Sequence, residues 1–229
     1  MYNGERILAI IPARKGSKRI KNKNSVLLAG KPMFEYSIDV ANESKYIDDV
    51  LFTTDSKEWL ERAVELGCLN IDVRCDELST DTARTIDVIL YEINRNNLKE
   101  KYTTVILLQP TSPYRTADLI DKAIEKFFKT KESLISVVKC NENPIFMRKI
   151  QNGRLIKYTN ETSQIRSQDL EQLYRIVGNI YINSIDDLTK TTVLNENVIP
   201  YIIDSKFDLD IDTEDDLKNA AKILKENSK

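Results

Sequence analysis

Two stretches of opposite charge stand out as able to do chemistry. The first is Pro12-Ala13-Arg14-Lys15-Gly16-Ser17-Lys18-Arg19-Ile20-Lys21-Asn22-Lys23-Asn24, with six basic residues, one glycine and no acid. Backbone N–H groups and cations in such a loop suit a polyanion such as a triphosphate. Arg and Lys there would stabilise charge moving onto a leaving pyrophosphate. The GxxxxGK[ST] and GxGxxG spacings are both absent. On charge alone, a solvated basic loop or a nucleic-acid patch is the better reading. The loop's place directly after a short apolar run moves the reading toward phosphate. The second stretch, Asp208-Leu209-Asp210-Ile211-Asp212-Thr213-Glu214-Asp215-Asp216, packs six acids into nine positions. On an extended chain Asp208, Asp210 and Asp212 share one side. Like charges so close are costly unless a cation neutralises them, and carboxylate oxygens suit Mg²⁺. An acidic helix start accounts for Glu214, Asp215 and Asp216 through the helix dipole, and less well for Asp210 and Asp212. The EF-hand pattern does not fit.

What is missing narrows the chemistry further. The 229 residues contain no histidine, which excludes Ser-His-Asp and Cys-His catalysis. Cys68, Cys75 and Cys140 form no CxxC pair, which argues against a zinc site. An odd, sparse cysteine count fits a reducing cytosol. With a formal net charge of −2, the whole chain does not suggest a nucleic-acid partner. The apolar run Ile7 to Ile11 is too short for a signal-peptide core or a membrane span.

The elements that must position these groups alternate. Short apolar runs at Arg6–Ile11, Asp49–Thr53, Thr104–Leu108 and Ser133–Val138 read as buried strands. Helical spacing follows at Trp59, Leu60, Ala63 and Val64, with Asp55 or Ser56 as N-cap and Gly67 as stop. It recurs at Ile86 to Ile93 after Asp81 or Thr82, at Leu119 to Phe128 after Thr116 or Asp118, and from Leu217 to Leu224. Thr213 and Asp216 resemble a capping box for the last of these. The alternation predicts a three-layer α/β domain over 1–229, a mostly parallel sheet with helices on both faces. Ligands in such sheets bind beyond the carboxyl ends of the strands, so the loops after Ile11, Leu108 and Ile203 are the expected site. Residues 141–184 break the rhythm and read as two or three irregular strands, such as Gly153–Tyr158 and Ile176–Ile182, in an excursion for dimerisation or substrate.

The basic loop, Ile11 through Lys18 with Lys21-Asn22-Lys23-Asn24, resembles the signature of the CMP-sugar-acid synthetases. That family comprises the acylneuraminate, legionaminate, pseudaminate and Kdo cytidylyltransferases, whose fold is of the nucleotide-diphospho-sugar transferase type. Arg74 and Asp76-Glu77-Leu78-Ser79-Thr80-Asp81-Thr82-Ala83 resemble its nucleoside segment. Gln109-Pro110-Thr111-Ser112-Pro113-Tyr114-Arg115 is similar to its QPTSP-L-R element, with Tyr114 in place of Leu. On residue types alone, that run is a strand ended by two prolines and a turn. Asp210-Ile211-Asp212-Thr213 with Asp216-Leu217 is similar to its D-I-D-T-x-x-D-L element. The resemblance implies Arg14 and Lys23 as catalytic residues and Ala13, Arg14, Ser17, Lys18, Asn24, Arg74 and Thr85 as the nucleotide site. It implies Asp210 and Asp212 as ligands of Mg²⁺ or Mn²⁺.

For the acceptor, the resemblance implies Gln109, Thr111, Ser112, Arg166 and Tyr181. Arg166 lies in Ile165-Arg166-Ser167-Gln168-Asp169-Leu170, like the family's R-x-Q-D-L, and its planar fork suits a carboxylate. A dimer interface with an exposed arginine accounts for that segment equally well. Val177 stands where acylneuraminate enzymes commonly have Asn, and Glu142-Asn143-Pro144-Ile145-Phe146 stands where they carry H-H-P-L-K. The basic loop and the Arg166 segment lean toward the pseudaminate and legionaminate enzymes, whereas Gln109 to Pro113 leans toward acylneuraminate. The implied reaction is CMP transfer from CTP to a free nine-carbon sugar acid, by a cytoplasmic homodimer with no nucleic-acid or membrane partner. The rival readings are a CMP-Kdo synthetase or other sugar nucleotidyltransferase, and a nucleotide or nucleic-acid binder without chemistry. Asp210 and Asp212 argue against the last, because they would weaken a DNA or RNA groove.

Overall fold

In the computed structural model, which describes residues 1–160, 166, 169–192, 194, 196 and 198–227, one six-stranded sheet organises the chain. Its strands are β1 (Ile7–Pro12), β4 (Asp49–Thr53), β5 (Thr104–Leu107), β6 (Leu134–Lys139), β9 (Tyr174–Ser184) and β10 (Ile199–Ile202). Two short hairpins stand apart, β2 (Leu27–Leu28) with β3 (Lys31–Pro32) and β7 (Arg148–Gln151) with β8 (Arg154–Lys157). The spatial order of the large sheet is β10-β6-β9-β5-β1-β4. β1 runs parallel to β4 and β5, and β10 parallel to β6.

Alternation along β1 sends side chains to both faces, as period 2 requires. Ile7, Ala9 and Ile11 join one buried cluster with Phe34, Ile38, Trp59, Ile120 and Ile124. These come from helices α1 (Met33–Glu43), α2 (Lys57–Glu65) and α4 (Ala117–Thr130). Leu8 and Ile10 face the other way, onto Ile86, Ile89 and Ile93 of α3 (Thr85–Arg95). Sheet and two helical faces give the three layers that the alternation predicts.

Helix starts follow the expected chemistry where a hydroxyl is available. Ser56 caps α2 by accepting from the Trp59 amide, and Thr116 caps α4 by accepting from Leu119. Thr213 and Asp216 form a reciprocal capping box before α5 (Glu214–Asn227). Gly67 ends the turn after α2 at φ 94°, a left-handed conformation that favours glycine. Helix α1 has no such sign, since Pro32 precedes it without a side-chain cap, and α3 opens after Arg84, not at the expected Asp81 or Thr82, also without a side-chain cap.

The sequence reading needs correcting in the middle of the chain. Residues 174–184 are not part of an excursion. They form β9, inserted antiparallel between β5 and β6 in the heart of the sheet. Ile180, Ile182 and Val177 are buried there, so the run serves the core. Its register against β6 slips between Ile135 and Val137. Ser136 bridges the irregularity, accepting from the Ile180 amide at 2.9 Å and donating to the Val177 carbonyl at 3.0 Å. The segment that leaves the sheet is shorter and carries the β7–β8 hairpin, whose Ile150 and Leu155 are 79% and 73% exposed.

A third, small core matters most for the site. Ile20 of the basic loop, Leu28, Met33, Ile211 and Ala220 pack together. The basic loop and the acidic stretch are thus joined by shared apolar contacts, although nearly two hundred residues separate them in sequence.

Candidate active site

Beyond the carboxyl ends of β1 and β5 lies a cleft of about 480 Å³. Its walls bring together Arg14, Ser17, Lys18, Lys23, Asn24, Arg74, Thr85, Gln109, Thr111 and Asp212. All ten were expected at the site from sequence.

The basic loop is held by its backbone, which leaves its cations free to face the cleft. The Ala13 amide donates to the Thr53 carbonyl at 2.9 Å, and the Lys15 amide to Asp55 Oδ1 at 2.6 Å. Buried Asn24 donates to the Arg14 carbonyl at 3.0 Å, closing the loop on itself. Asn22 adopts φ 54°, which lets the chain turn into the short helical turn Lys23–Ser25. Ala13 itself is fully buried in the core and stands outside the cleft lining, so its contribution is to hold the loop.

Two carboxylates neutralise these cations. Asp81 pairs with Arg14 and, at 2.6 Å, with Lys18. Asp212 pairs with Lys23 at 2.8 Å and with Arg19 at 2.7 Å. Lys18, then Arg14, hold the Asp81 carboxyl below the usual range. Lys23 does the same for Asp212, assisted by Arg19 and opposed by partial burial.

Arg74 is buried, and desolvation lowers its pKa against the pull of Asp55 and Glu92. The backbone before it is clamped by Arg95, which donates to the carbonyls of Asp72 at 2.5 Å and Val73 at 3.2 Å. Arg95 is itself held by Glu92, a fully buried acid that also accepts from Thr53. Arg74 Nε donates to Ser79 Oγ at 3.2 Å, so one face of the cleft is set by a chain of bonds reaching into the core.

The turn after β5 is equally fixed. Arg115 is buried and donates to the carbonyls of Gln109 and Ser112. The Ile211 amide donates to the Thr111 carbonyl at 2.8 Å, which ties the acidic stretch to this turn. A Cβ on Gly178 would fall 2.5 Å from Gln109 Oε1 and 3.4 Å from Ser112 Oγ. The β9 irregularity therefore brings bare backbone against Gln109 and Ser112, two of the side chains expected to meet the acceptor. Ser112 is buried beneath this contact and does not line the cleft.

The remaining expected residues lie apart. Tyr181 sits half-buried on β9, outside the cleft lining; burial, and then the charge of Asp210, raise its pKa. Asp210 is exposed, within electrostatic reach of Tyr181 but not on the cleft wall. Arg166 is exposed and its carbonyl accepts from the Asp169 amide, while Ile165, Ser167 and Gln168 lie outside the described residues. Among the described residues, no three His, Cys, Asp or Glu side chains converge as a metal cage. Asp212 on the wall of this cation-lined cleft, with Asp210 two positions before it, nevertheless offers the kind of carboxylate oxygens that Mg²⁺ takes from protein when substrate oxygens complete its shell. Asp81, Arg19, Arg115 and Gly178 are the residues that sequence reasoning left without a role in the site; Asp81 was read only as a helix start. Asp81 had a visible signal: an acid in the nucleoside segment, opposite a loop that has none.

Comparison with known proteins is consistent with this cleft. A family model described as Cytidylyltransferase matches residues 8–225. A CMP-N,N'-diacetyllegionaminic acid synthase of Legionella pneumophila is 33% identical over 97% of both chains. A pseudaminic acid cytidylyltransferase of Campylobacter jejuni is 30% identical over 96% of this chain and 97% of that one. An N-acylneuraminate cytidylyltransferase of Streptococcus agalactiae is 33% identical over 91% of this chain, which spans 51% of that longer protein. In fold, a CMP-2-keto-3-deoxy-manno-octonic acid synthetase complexed with CTP superposes with a TM-score of 0.70 at 17% identity, covering 97% of this chain and 99% of that one.

Proposed function

The chain belongs to the cytidylyltransferase family, and on that premise we propose that it transfers CMP from CTP to the anomeric hydroxyl of a nine-carbon sugar acid of the neuraminate, legionaminate or pseudaminate kind. The observation that carries the proposal is that one cleft is lined both by Arg14, Lys18 and Lys23 and by Gln109, Thr111 and Asp212. A phosphate grip and an acceptor turn share one space, as transfer between two bound substrates requires.

In this reading the anomeric oxygen attacks the α-phosphorus of CTP, the bond to the bridging oxygen breaks, and pyrophosphate leaves as the hydroxyl proton is lost. Arg14 and Lys23 neutralise the charge that gathers on the departing pyrophosphate. Ser17, Lys18 and Asn24 hold the triphosphate, and Arg74 and Thr85 the nucleoside. Gln109 orients the acceptor from a turn that Arg115 and Ile211 keep rigid. Asp210 and Asp212 would hold Mg²⁺, which when bound screens the α-phosphate and acidifies the attacking hydroxyl. Arg166 and Tyr181 would complete the acceptor site.

We further propose a homodimer built on the exposed apolar hairpin at Ile150 and Leu155, working in the cytoplasm. Free Cys68, Cys75 and Cys140 suit a reducing compartment. No helix among the described residues is long and apolar enough to cross a membrane.

The test is pyrophosphate release from CTP and Mg²⁺ with N-acetylneuraminate, legionaminate, pseudaminate and Kdo offered in turn. Release with a nine-carbon acid, abolished by EDTA, is the expected result. Turnover with Kdo alone, or with a sugar phosphate in place of a free acid, would assign the chain to a different acceptor class.

A further inference from the structure

We propose that Asp81 is an exchangeable counter-ion: it holds Arg14 and Lys18 before the nucleotide arrives and takes them back as pyrophosphate departs. The inference rests on the reading of the cleft as a CTP site, and it adds a residue with a role in product release.

Both oxygens of Asp81 are spent on cleft cations, Oδ1 on Arg14 and Oδ2 on Lys18 at 2.6 Å. Asp81 lines the same cleft as those cations. A triphosphate gripped by Arg14 and Lys18 would therefore meet this carboxylate, and like charges at such range repel. Either the nucleotide or Asp81 must give way.

The local structure shows which one can. Asp212, the other acid in the cleft, is held from both sides: the Ile211 amide bonds Thr111, and its own amide donates to Asp216 at 3.1 Å. Asp81 sits between Thr80 and Thr82 in an exposed turn ahead of α3. A carboxylate at an exposed turn regains water when it swings out, and exposed ion pairs of this kind are weak enough to exchange. Arg14 is anchored through its backbone, since its carbonyl accepts from buried Asn24. The loop that carries the cations stays, and the carboxylate moves.

This arrangement answers a difficulty built into the cleft. A site with enough positive charge to stabilise a leaving pyrophosphate also retains it. An acid that returns to the same cations competes with the product for them, without entering the chemistry.

The experiment titrates inorganic pyrophosphate into the full chain by calorimetry, with CTP titrated alongside. Proteins compared are the wild type, Asp81→Asn, Asp81→Ser and a control, Glu58→Gln, which removes the same charge from an exposed residue of α2 outside the cleft lining. Thermal melts establish that each is folded, and the serine variant serves if the asparagine variant is not. The expected result is pyrophosphate binding about fivefold tighter in the Asp81 variants, with stronger product inhibition and little change in the control. Unchanged or weaker pyrophosphate binding in the Asp81 variants overturns the proposal and makes Asp81 a prop for Arg14. Equal tightening by Glu58→Gln overturns it too, because the effect is then one of net charge. Wild-type protein that binds neither CTP nor pyrophosphate removes the nucleotide site itself, and the inference falls with it.

Discussion

Lys23 Nζ lies 2.8 Å from Asp212 Oδ1, although 189 positions separate the two residues in the chain. The contact joins a cation of the basic loop to an acid proposed to hold metal. Ile20 and Ile211, packed in one small core, hold the two stretches in register. Asp212 therefore has two tasks in the proposed mechanism, orienting Lys23 and ligating Mg²⁺. Asp212→Ala is expected to lower Mg²⁺-dependent pyrophosphate release by about a hundredfold or more. Mn²⁺ affinity followed by electron paramagnetic resonance should fall in parallel, while CTP still binds without metal. Full turnover in this variant would remove Asp212 from the metal site.

Gly178 is required by space, not by backbone angle. A methyl group there would lie 2.5 Å from the end of the Gln109 side chain and 3.3 Å from its Cδ. The amide of Gln109 can swing aside, so Gly178→Ala should cost only about 1 kcal/mol of stability, the low end of overpacking. The functional cost should be larger and selective. KM for the sugar acid is expected to rise about tenfold, as one misplaced methyl in a pocket can do, with KM for CTP unchanged. An equal rise in both would place Gly178 in the nucleotide site.

How much of this was legible follows from the kind of signal involved. The strand and helix rhythm announces the sheet because Ile7 to Ile11, Asp49 to Thr53 and Thr104 to Leu107 are short apolar runs bounded by turns. The cleft residues are legible because motifs at strand ends carry their chemistry in their side chains. The strand at Ile176–Ile182 was legible, but its place was not, because lying between β5 and β6 depends on pairings made across the whole sheet. Asp81 and Arg115 went without a role in the site for a related reason: each acts on a partner that the fold brings to it. Arg115 is near its partners in sequence, yet only burial shows that its guanidinium turns inward.

The charge network at Asp49 gives a pH dependence with a definite sign. Partial burial pushes its pKa up, but hydrogen bonds from Tyr102 and Lys101, with the charges of Lys101 and Arg6, outweigh this and leave it below the ordinary aspartate value of 3.8. A carboxyl depressed in the folded state stabilises above its unfolded pKa, and that contribution is lost as pH falls through the folded value. Asp49→Asn should therefore melt lower than the wild type near neutral pH. The gap should narrow once pH drops below about 4, where unfolded aspartate takes up its proton. A gap that stays constant to low pH would mean that the network contributes through shape alone.

Arg115 offers the sharpest separation of stability from function. Its guanidinium is buried, with burial pushing its pKa down to about 9, so it keeps its charge at neutral pH. Nη2 serves the Gln109 and Ser112 carbonyls, while Nε and Nη1 find no partner among the described residues. A buried charge with unpaired donors is a poor source of stability, and replacing such groups with apolar ones is often neutral or stabilising. Arg115→Met should accordingly leave the melting temperature within a few degrees of the wild type, about 1 kcal/mol in either direction. What it should lose is the turn. Without a donor between them the two carbonyls are free to reorient, Thr111 shifts against Ile211, and Gln109 no longer meets the acceptor in one pose. Misplacement on the ångström scale far from the reacting atoms can cost about a hundredfold in rate. Steady-state kinetics beside a thermal melt should thus show kcat falling much further than the melting temperature. A variant that unfolds while its remaining folded fraction turns over normally would make Arg115 a structural residue and nothing more.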